Sequence, residues 1–470
     1  SPGLSFDWTV LGIGFGLFVV GLAGFTLVLV LITTRARTGA DTASMSPSTS
    51  RVVASAVRLG LPPAPVSGIR YAVERGRGRD AVPVASALGG AVVAIAVIAT
   101  TLTFGSGLAT LVSRPALYGW NWDDIISVPG GGKVPPYTQN LLNHDPDVAA
   151  WTGFSFGQAQ IDRETVPIMI LPRGAKVVPP VIAGDRVIGA HDIDLGGNTL
   201  AQLHKHVGDT VVVTYGSPKN APIYVPPTTL RIVGTATLPA LGNPDVLHPS
   251  MGFGAVISEG IEPAAMVAAQ QSPDPNQNGP DVVAIRFRSG VNRAGALLSL
   301  QHIASASTQH IAQDPNAGGT FEVLPVQQPA EIVNYRTMGS TPAILAASVA
   351  AGAVVALGLT LVASVRRRRR DLALLKTLGF AQRQMAAVVA WQASVAALVG
   401  VVVGLPLGVA VGRGLWDLFA HAIYVVPSPS VPFVELALVA IGALVLANAV
   451  SYWPGRLAAR TKTAFLLRSE

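Results

Sequence analysis

Few residues in this chain have the type and spacing that chemistry would need. Gly130-Gly131-Gly132-Lys133 comes nearest to a phosphate cradle, but Val134 and Pro135 follow it, and no G-x-x-x-x-G-K-[ST] occurs anywhere. The run has the character of a loop, and ATP binding of that kind is excluded. His204-Lys205-His206 sets two imidazoles at i and i+2, which on a helix point to different faces. With no Asp, Glu or Cys ligand beside it, the run suits a solvated surface better than a metal. His302 and His310 fit ordinary helix positions. There is no G-x-S-x-G and no H-E-x-x-H. The lack of cysteine removes disulfides, thiolate metal sites, Fe–S clusters and a cysteine nucleophile. The expectation is a non-catalytic chain with no metal and no cofactor of its own.

The elements that carry these residues are mostly apolar. The 470 residues include only 13% charged ones, about half the share usual in soluble domains, and mean hydropathy is +0.47. Five stretches are long enough to cross a bilayer as helices, at 9–33, 84–112, 341–365, 386–412 and 433–453. Continuous apolar runs do not alternate as barrel strands do, so helices are the spanning form. The first stretch lacks a basic segment before it and is too long for a signal peptide. Because the chain begins at Ser1 rather than Met, it is expected to be processed or part of a longer polypeptide.

Charge orients the spans. Residues 34–83 hold eight arginines and three acids, and 366–385 hold seven basic residues against Asp371 alone. The tail after 453 adds four basic residues against Glu470, whereas 114–337 carries 13 basic and 18 acidic residues. The positive-inside rule makes the three basic segments cytoplasmic and the insert extracytoplasmic. The predicted fold class is an α-helical integral membrane protein of five spans with a large extracytoplasmic α+β domain. Its parts are a first span within 1–34, a basic linker at 35–83, a span at 84–113 and the outer domain at 114–340. A span at 341–365, a cytoplasmic helix at 366–385, a span at 386–412, a short outer loop at 413–432, a span at 433–453 and a tail follow.

Residues 1–19 are similar to 428–446, each with a Ser-Pro turn, an acid and then a Gly/Ala-containing span. Either any outside-to-inside helix has this look, or 1–34 is the last span of a preceding repeat. In the outer domain, strand patterns occur at 166–171, 209–215, 228–238, 282–288 and 321–326, and helical ones at 195–207 and 290–313. Two lobes are expected. Trp120 and Trp122, close to a span, have the positions of interfacial anchors.

The segment 366–391, RRRRRDLALLKTLGFAQRQMAAVVAW, is the most informative. Five arginines stop a span, a short helix follows with Leu372, Leu375 and Leu378 at i, i+3 and i+6, and Gly379 ends it. Spacing alone leaves two roles open: a helix that a separate motor subunit pushes, or a surface anchor whose arginines bind anionic lipid at about 1 kcal/mol per charge.

This segment strongly resembles the cytoplasmic loop of FtsX/MacB-type ABC transporter permeases. The ending WPGRLAARTKTAFLLRSE is similar to that family's terminal pattern, with Leu466-Leu467 where Ala-Leu is commoner. Residues 181–213 and 230–242 resemble the family's outer domain, with Asp192-Ile193-Asp194-Leu195-Gly196 in its acid-Ile-x-Leu-Gly pattern. Residues 62–90 and 118–124 look like large actinobacterial members built of two repeats. The resemblance implies that a separate ABC ATPase subunit, holding ATP and magnesium, docks on the loop and moves it. On that basis Leu375, Lys376, Leu378, Gly379, Phe380 and Arg383 would contact the ATPase. Arg366, Arg367, Arg368, Arg369 and Arg370 would hold the loop at membrane lipid, and Gly68–Arg79 would lie along the inner leaflet. A second permease copy or the preceding repeat would be the other partner.

In the span 386–412, Gln392, Ala396, Gly400, Gly404, Gly408 and Gly412 recur every four residues, a spacing that lets helix backbones approach closely. The ladder suits packing on a neighbouring span of the same repeat, or a seam between paired units. Gly12, Gly14 and Gly16 repeat the signal more weakly. No charge lies mid-span, so no ion or proton relay is expected. For function, three readings stand: export or extraction of a lipid, lipoprotein or hydrophobic peptide; a mechanotransmitting scaffold that recruits and activates a cell-wall hydrolase; and a membrane-anchored outer binding protein with no motor. Membrane-facing apolar residues on the outer domain would favour the first, and a polar groove with aromatic anchors the second. Nothing points to nucleic acid.

Overall fold

The computed structural model describes residues 51–74, 84–239, 251–315, 319–329 and 341–459, with the short pieces 242–243, 246–247 and 332–334. The expected span at 9–33, its glycines, most of the basic linker and the tail beyond 459 lie outside these residues. In chain order the elements are α1 (Arg51–Arg58), α2 (Pro63–Val73), α3 (Val84–Ser113), β1 (Asp124–Ser127), α4 (Pro136–His144), β2 (Val148–Ile161) and β3 (Glu164–Leu171). Next come β4 (Val181–Gly184), β5 (Asp192–Gly196), α5 (Gly197–Gln202), β6 (Thr210–Gly216), β7 (Tyr224–Ala236), β8 (Gly242–Asn243), β9 (Val246–Leu247) and β10 (Ala255–Ser258). The chain continues with α6 (Ala264–Gln270), β11 (Val282–Phe287), α7 (Arg293–Ile311), β12 (Glu322–Pro325), α8 (Thr341–Arg367), α9 (Arg369–Thr377), α10 (Gln382–Ala422) and α11 (Phe433–Ala459). Two compact units result. One takes the described residues up to Leu102, Ile344–Ala410 and those from Pro432 on; the other takes Thr103–Ala343 and Val411–Val431.

Among the described residues four helices are long and apolar enough to cross a membrane: Leu88–Ser113, Ala343–Arg367, Gln382–Ala422 and Phe433–Ala459. The third has 41 residues and runs through Arg413 to Ala422, so the loop expected at 413–432 starts ten residues later. In the first unit, Leu361 and Val365 of α8 meet Met385, Val389 and Ala393 of α10 and Ala447 and Ala458 of α11. Two uncharged side-chain bonds reinforce this packing. Gln392 Nε2 donates to Ser364 Oγ at 3.1 Å, and Asn448 Nδ2 donates to Ser394 Oγ at 3.0 Å. Gln392 thus leaves the small-residue ladder for a polar tie. Gly400, Gly404 and Gly408 lie against residues 91–99 of α3: a Cβ on Gly404 would stand 2.7 Å from Val92 O, and one on Gly408 2.6 Å from Ala99 Cβ. These three positions are therefore occupied by the chain's own helix. Gly412 is buried in the second unit.

The second unit is α+β. Its strands follow the order β12-β1-β11-β2-β3-β10-β5-β7-β4, with β6 joined to both β2 and β7. The 14-residue β2 serves two lobes. Val148–Phe154 pairs antiparallel with β11, and Ser155–Ile161 pairs antiparallel with β3. The first lobe closes over Ile126, Leu142, Val283, Ile285, Leu300 and Ile303, and the second over Ile161, Ile168, Ile193, Leu195, Val213 and Ile232. The five expected strands are present, with no end displaced by more than four residues. The helix expected at 195–207 shrinks to six residues because Leu195 and Gly196 belong to β5 and His204 turns to φ +54°. His204-Lys205-His206 therefore lies in a turn rather than on a helix. There the His206 N–H donates to Asp209 Oδ2 at 2.8 Å.

Trp120 and Trp122 are not interfacial anchors: they are 1% and 5% exposed, in a core with Phe154, Met169 and Leu238. The Trp122 ring lies 5.3 Å from the Phe154 ring at an interplanar angle of 45°, because the backbone after Tyr118 turns directly into β1. The same core takes in Trp416 and Ala420 at the end of α10, which explains why that helix continues past 412. The Tyr424 ring then rests on Gly197 and Gly252, where any side chain would collide with it. Thr237 Oγ1 donates to Tyr424 O at 3.0 Å, and the Val426 N–H donates to Leu117 O at 3.0 Å.

Candidate functional site

The turn between α8 and α10 is built from local rules. At Arg368 the backbone leaves helical geometry (φ −93°, ψ 22°), and the nine-residue α9 begins. Asp371 in its first turn and Lys376 in its last both favour the helix dipole. Its end is a Schellman motif: the Phe380 N–H donates to Leu375 O at 3.2 Å and the Gly379 N–H to Lys376 O at 3.2 Å, with Gly379 at φ +92°. Gln384 Oε1 then accepts from the Ala381 N–H at 2.8 Å, half of a capping box that starts α10. Gly379→Ala should lower the melting temperature by a few degrees, since a left-handed residue with a Cβ costs about 1–2 kcal/mol. Gly379→Asn should lose less, and an unchanged melting temperature for both would show that the turn is not strained.

This cap sorts the predicted contact residues by side. Leu375 and Phe380, brought together by the motif, are half-buried against the α8–α10–α11 core, and Ala373 is buried beside them. They pack inward on that core. Leu378 is 76% exposed, and Leu374, which the apolar i, i+3, i+6 pattern had missed, is 54% exposed. These two share a face at i, i+4. Gly379 and Arg383 are exposed and Lys376 is half-buried.

The arginine cluster divides as well. Arg366 and Arg367 are exposed, but Arg368 is 5% exposed and does not lie at a lipid surface. Its guanidinium sits 4.5 Å over the Tyr71 ring and donates to Glu74 O at 2.9 Å, tying α9 to the end of α2. The side chains of Arg369, Arg370 and Leu372 lie outside the described residues. The α2 portion of the expected 68–79 stretch packs on α10: Gly68 faces Trp391, with Val388 O 2.8 Å from where a Cβ would be. Residues 75–79 are outside the description.

The second unit holds a cleft of about 900 Å³ between its lobes. Trp151, Arg173, Lys176, Tyr215, Glu262 and Arg288 are among its walls. Lys133 Nζ meets Asp281 Oδ1 at 2.7 Å, while Asp281 Oδ2 accepts from the Phe156 N–H at 2.8 Å. Lys133 thus joins the cleft as one half of an ion pair. Glu259 Oε1 accepts from the Arg173 N–H at 3.0 Å. Burial, and then the nearby Glu259, push the Glu262 carboxyl above its usual range, and Lys133 opposes them. Burial raises the Tyr215 hydroxyl too, followed by the charges of Glu262 and Asp281. No spacing rule could have found this site, whose walls come from residues up to 155 positions apart. Among the described residues no group of three His, Cys, Asp or Glu could hold a metal.

Comparison with known proteins gives a family for the C-terminal part. Residues 343–463 match the FtsX-like permease C-terminal family. The periplasmic region of MacB from Actinobacillus actinomycetemcomitans is 10% identical at a TM-score of 0.28, over 47% of this chain and 93% of that one. A permease domain from Porphyromonas gingivalis is 14% identical at 0.27, over 47% and 97%. The extracellular domain of the noncanonic ABC-type transporter YknZ from Gram-positive bacteria is 9% identical at 0.26, over 43% and 100%. No curated protein matches.

Proposed function

We propose, starting from the FtsX-like permease C-terminal domain at 343–463, that this chain is the membrane subunit of an ABC transporter. It would couple ATP hydrolysis in a separate ATPase subunit to movement of its outer domain. One observation carries this reading: a short helix, ended by a Schellman motif and set between two span-length helices, presents Leu374 and Leu378 outward. Two exposed leucines on a fixed turn give a partner an apolar anchor. The inward Leu375 and Phe380 pass any push on that turn into the α8–α10–α11 core. Lys376, Gly379 and Arg383 would form the polar rim of the same contact, and Arg366 and Arg367 would meet lipid at its base. ATP and magnesium would be held by the ATPase. The four span-length helices would cross the plasma membrane, with the α+β unit outside.

For the outer role, the lobe cleft is polar and includes Trp151 and Tyr215. That observation favours a polypeptide partner outside the membrane, such as a hydrolase to be activated, over extraction of a lipid. The coupling role is tested by Leu374→Asp/Leu378→Asp. The variant is expected to insert normally while recovery of the ATPase subunit that co-purifies with the unsubstituted chain falls at least tenfold. Full recovery would remove the docking assignment.

A further inference from the structure

We propose that the outer cleft binds an extended acidic polypeptide segment, added as a strand to an unpaired edge of β2. The argument begins at the two-residue turn Asp162–Arg163, whose φ values are +46° and +78°. Positive φ at both positions is the type I′ hairpin, and its closing pair, Ile161 and Glu164, is hydrogen-bonded. Backbone groups alternate sides along a strand. Residues 161, 159, 157 and 155 therefore aim their N–H and C=O at β3, and the even residues aim away from it. Three contacts agree with this parity. Gln160 pairs with Thr214 of β6, the Phe156 N–H meets the Asp281 carboxylate, and the Asp281 N–H donates to Phe154 O.

Back as far as Ala150, where the register with β11 shifts, β2 keeps the same parity. On β11 the Phe287 N–H donates to Asp123 Oδ2 and Ile285 O accepts from the Asp123 N–H, so the odd residues of β11 face β1. Its even residues, 282, 284 and 286, face β2 and are opposite Phe154, Thr152 and Ala150. The residues between them, Trp151 and Gly153, point to the side where β3 has already ended at Leu171. Both line the cleft, and among the described residues no strand pairs with them there.

An open strand edge inside a cleft needs a partner that carries alternating main-chain donors and acceptors, as an extended peptide does. A lipid tail has none. Charge selects the peptide's character. Arg173, Lys176 and Arg288 line the cleft and are exposed, and among the described residues none of them forms an ion pair. Carboxylates of the added segment would meet them.

The inference stands apart from the coupling role, and its test uses neither nucleotide nor ATPase. The full chain in detergent micelles is titrated against a fluorescent eight-residue peptide alternating Glu and Val, with fluorescence anisotropy as the signal. The acidic peptide should bind at least tenfold more tightly than its Lys/Val counterpart. N-methylation of alternate amides on its pairing edge should weaken it at least tenfold. Arg173→Glu/Lys176→Glu changes two exposed side chains, and with an unchanged melting temperature it should reverse the charge preference. The proposal is overturned by an absence of saturable binding, by equal binding of the Lys/Val peptide, by indifference to N-methylation, or by a chitin hexamer binding more tightly.

Discussion

Gly404→Leu/Gly408→Leu is expected to separate α10 from α3 and to lower the yield of folded protein in detergent severalfold. A Cβ at Gly404 would stand 2.7 Å from Val92 O and 3.1 Å from Ile95 Cβ, and one at Gly408 would also press on Ala96 O. The obstructing atoms are mostly backbone, so rotamer changes cannot make room. Overpacking a close contact costs about 1–3 kcal/mol per site, which together is a large part of a usual stability of about 5–15 kcal/mol. Lipid tails are as apolar as the helices, so close packing carries much of the helix association. Thr100 Oγ1, which donates to Gly408 O at 3.1 Å, would lose its partner as well. Gly442 has open space where a Cβ would go, so Gly442→Leu is the control. Equal melting temperatures for the double variant and this control would show that the ladder does not hold the pair together.

A second large effect is expected at Asp194, 3% exposed on β5. Burial pushes its carboxyl up to about 7, and Asp192 and Asp185 act in the same direction, while the Val187 N–H donating to Oδ2 at 3.2 Å opposes them. Among the described residues Oδ1 has no hydrogen-bond partner. It converges with the carbonyl oxygens of Ala183 and Asp185 on the space above Gly234. Three acceptors around one point favour a carboxyl that keeps its proton and can donate it. Arg186 lines the small void beside Asp194 without paying the cost of the buried charge.

The sign follows from the raised value. Between the ordinary 3.8 and about 7 the folded state holds a proton that the unfolded state has released. Stability from this group is fullest below pH 4, falls as pH rises through that window and levels off above 7. The total drop is at most on the order of 4 kcal/mol, about 1.4 kcal/mol per pH unit. Asp194→Asn should flatten the profile and unfold at higher temperature than the unsubstituted chain at pH 8. Asp124, which burial raises to about 6, adds a slope of the same sign, so the difference between the two profiles is the quantity to measure. Identical profiles would show that Asp194 is ionised in the fold.

The sequence marked β3, β7 and β11 because β-branched residues cluster there. It did not mark β2, whose VAAWTGFSFGQAQI is rich in Gly, Ala and Ser and has weak strand preference. That strand exists because β11 and β3 pair with its two halves, and β11 begins 128 positions after Phe154. The sidedness of the short helix was similarly hidden. Apolar residues at 372, 375 and 378 suggest one face, yet the turn at Gly379 draws Phe380 back onto Leu375 and leaves Leu378 outside.

By itself the sequence determined the properties that depend on near neighbours. Among the described residues these are four span-length apolar helices, the stop at the arginines and the left-handed glycine ending α9. Tertiary structure alone decided which charges and rings are enclosed. It placed Arg368 over Tyr71, buried Trp120 and Trp122, isolated Asp194, and opened one edge of β2 into a cleft. Helix length and turn geometry are settled within a few residues by backbone sterics and hydrogen bonding. Burial, pairing and pKa depend on whatever distant segments fold against a residue, and no local pattern contains them.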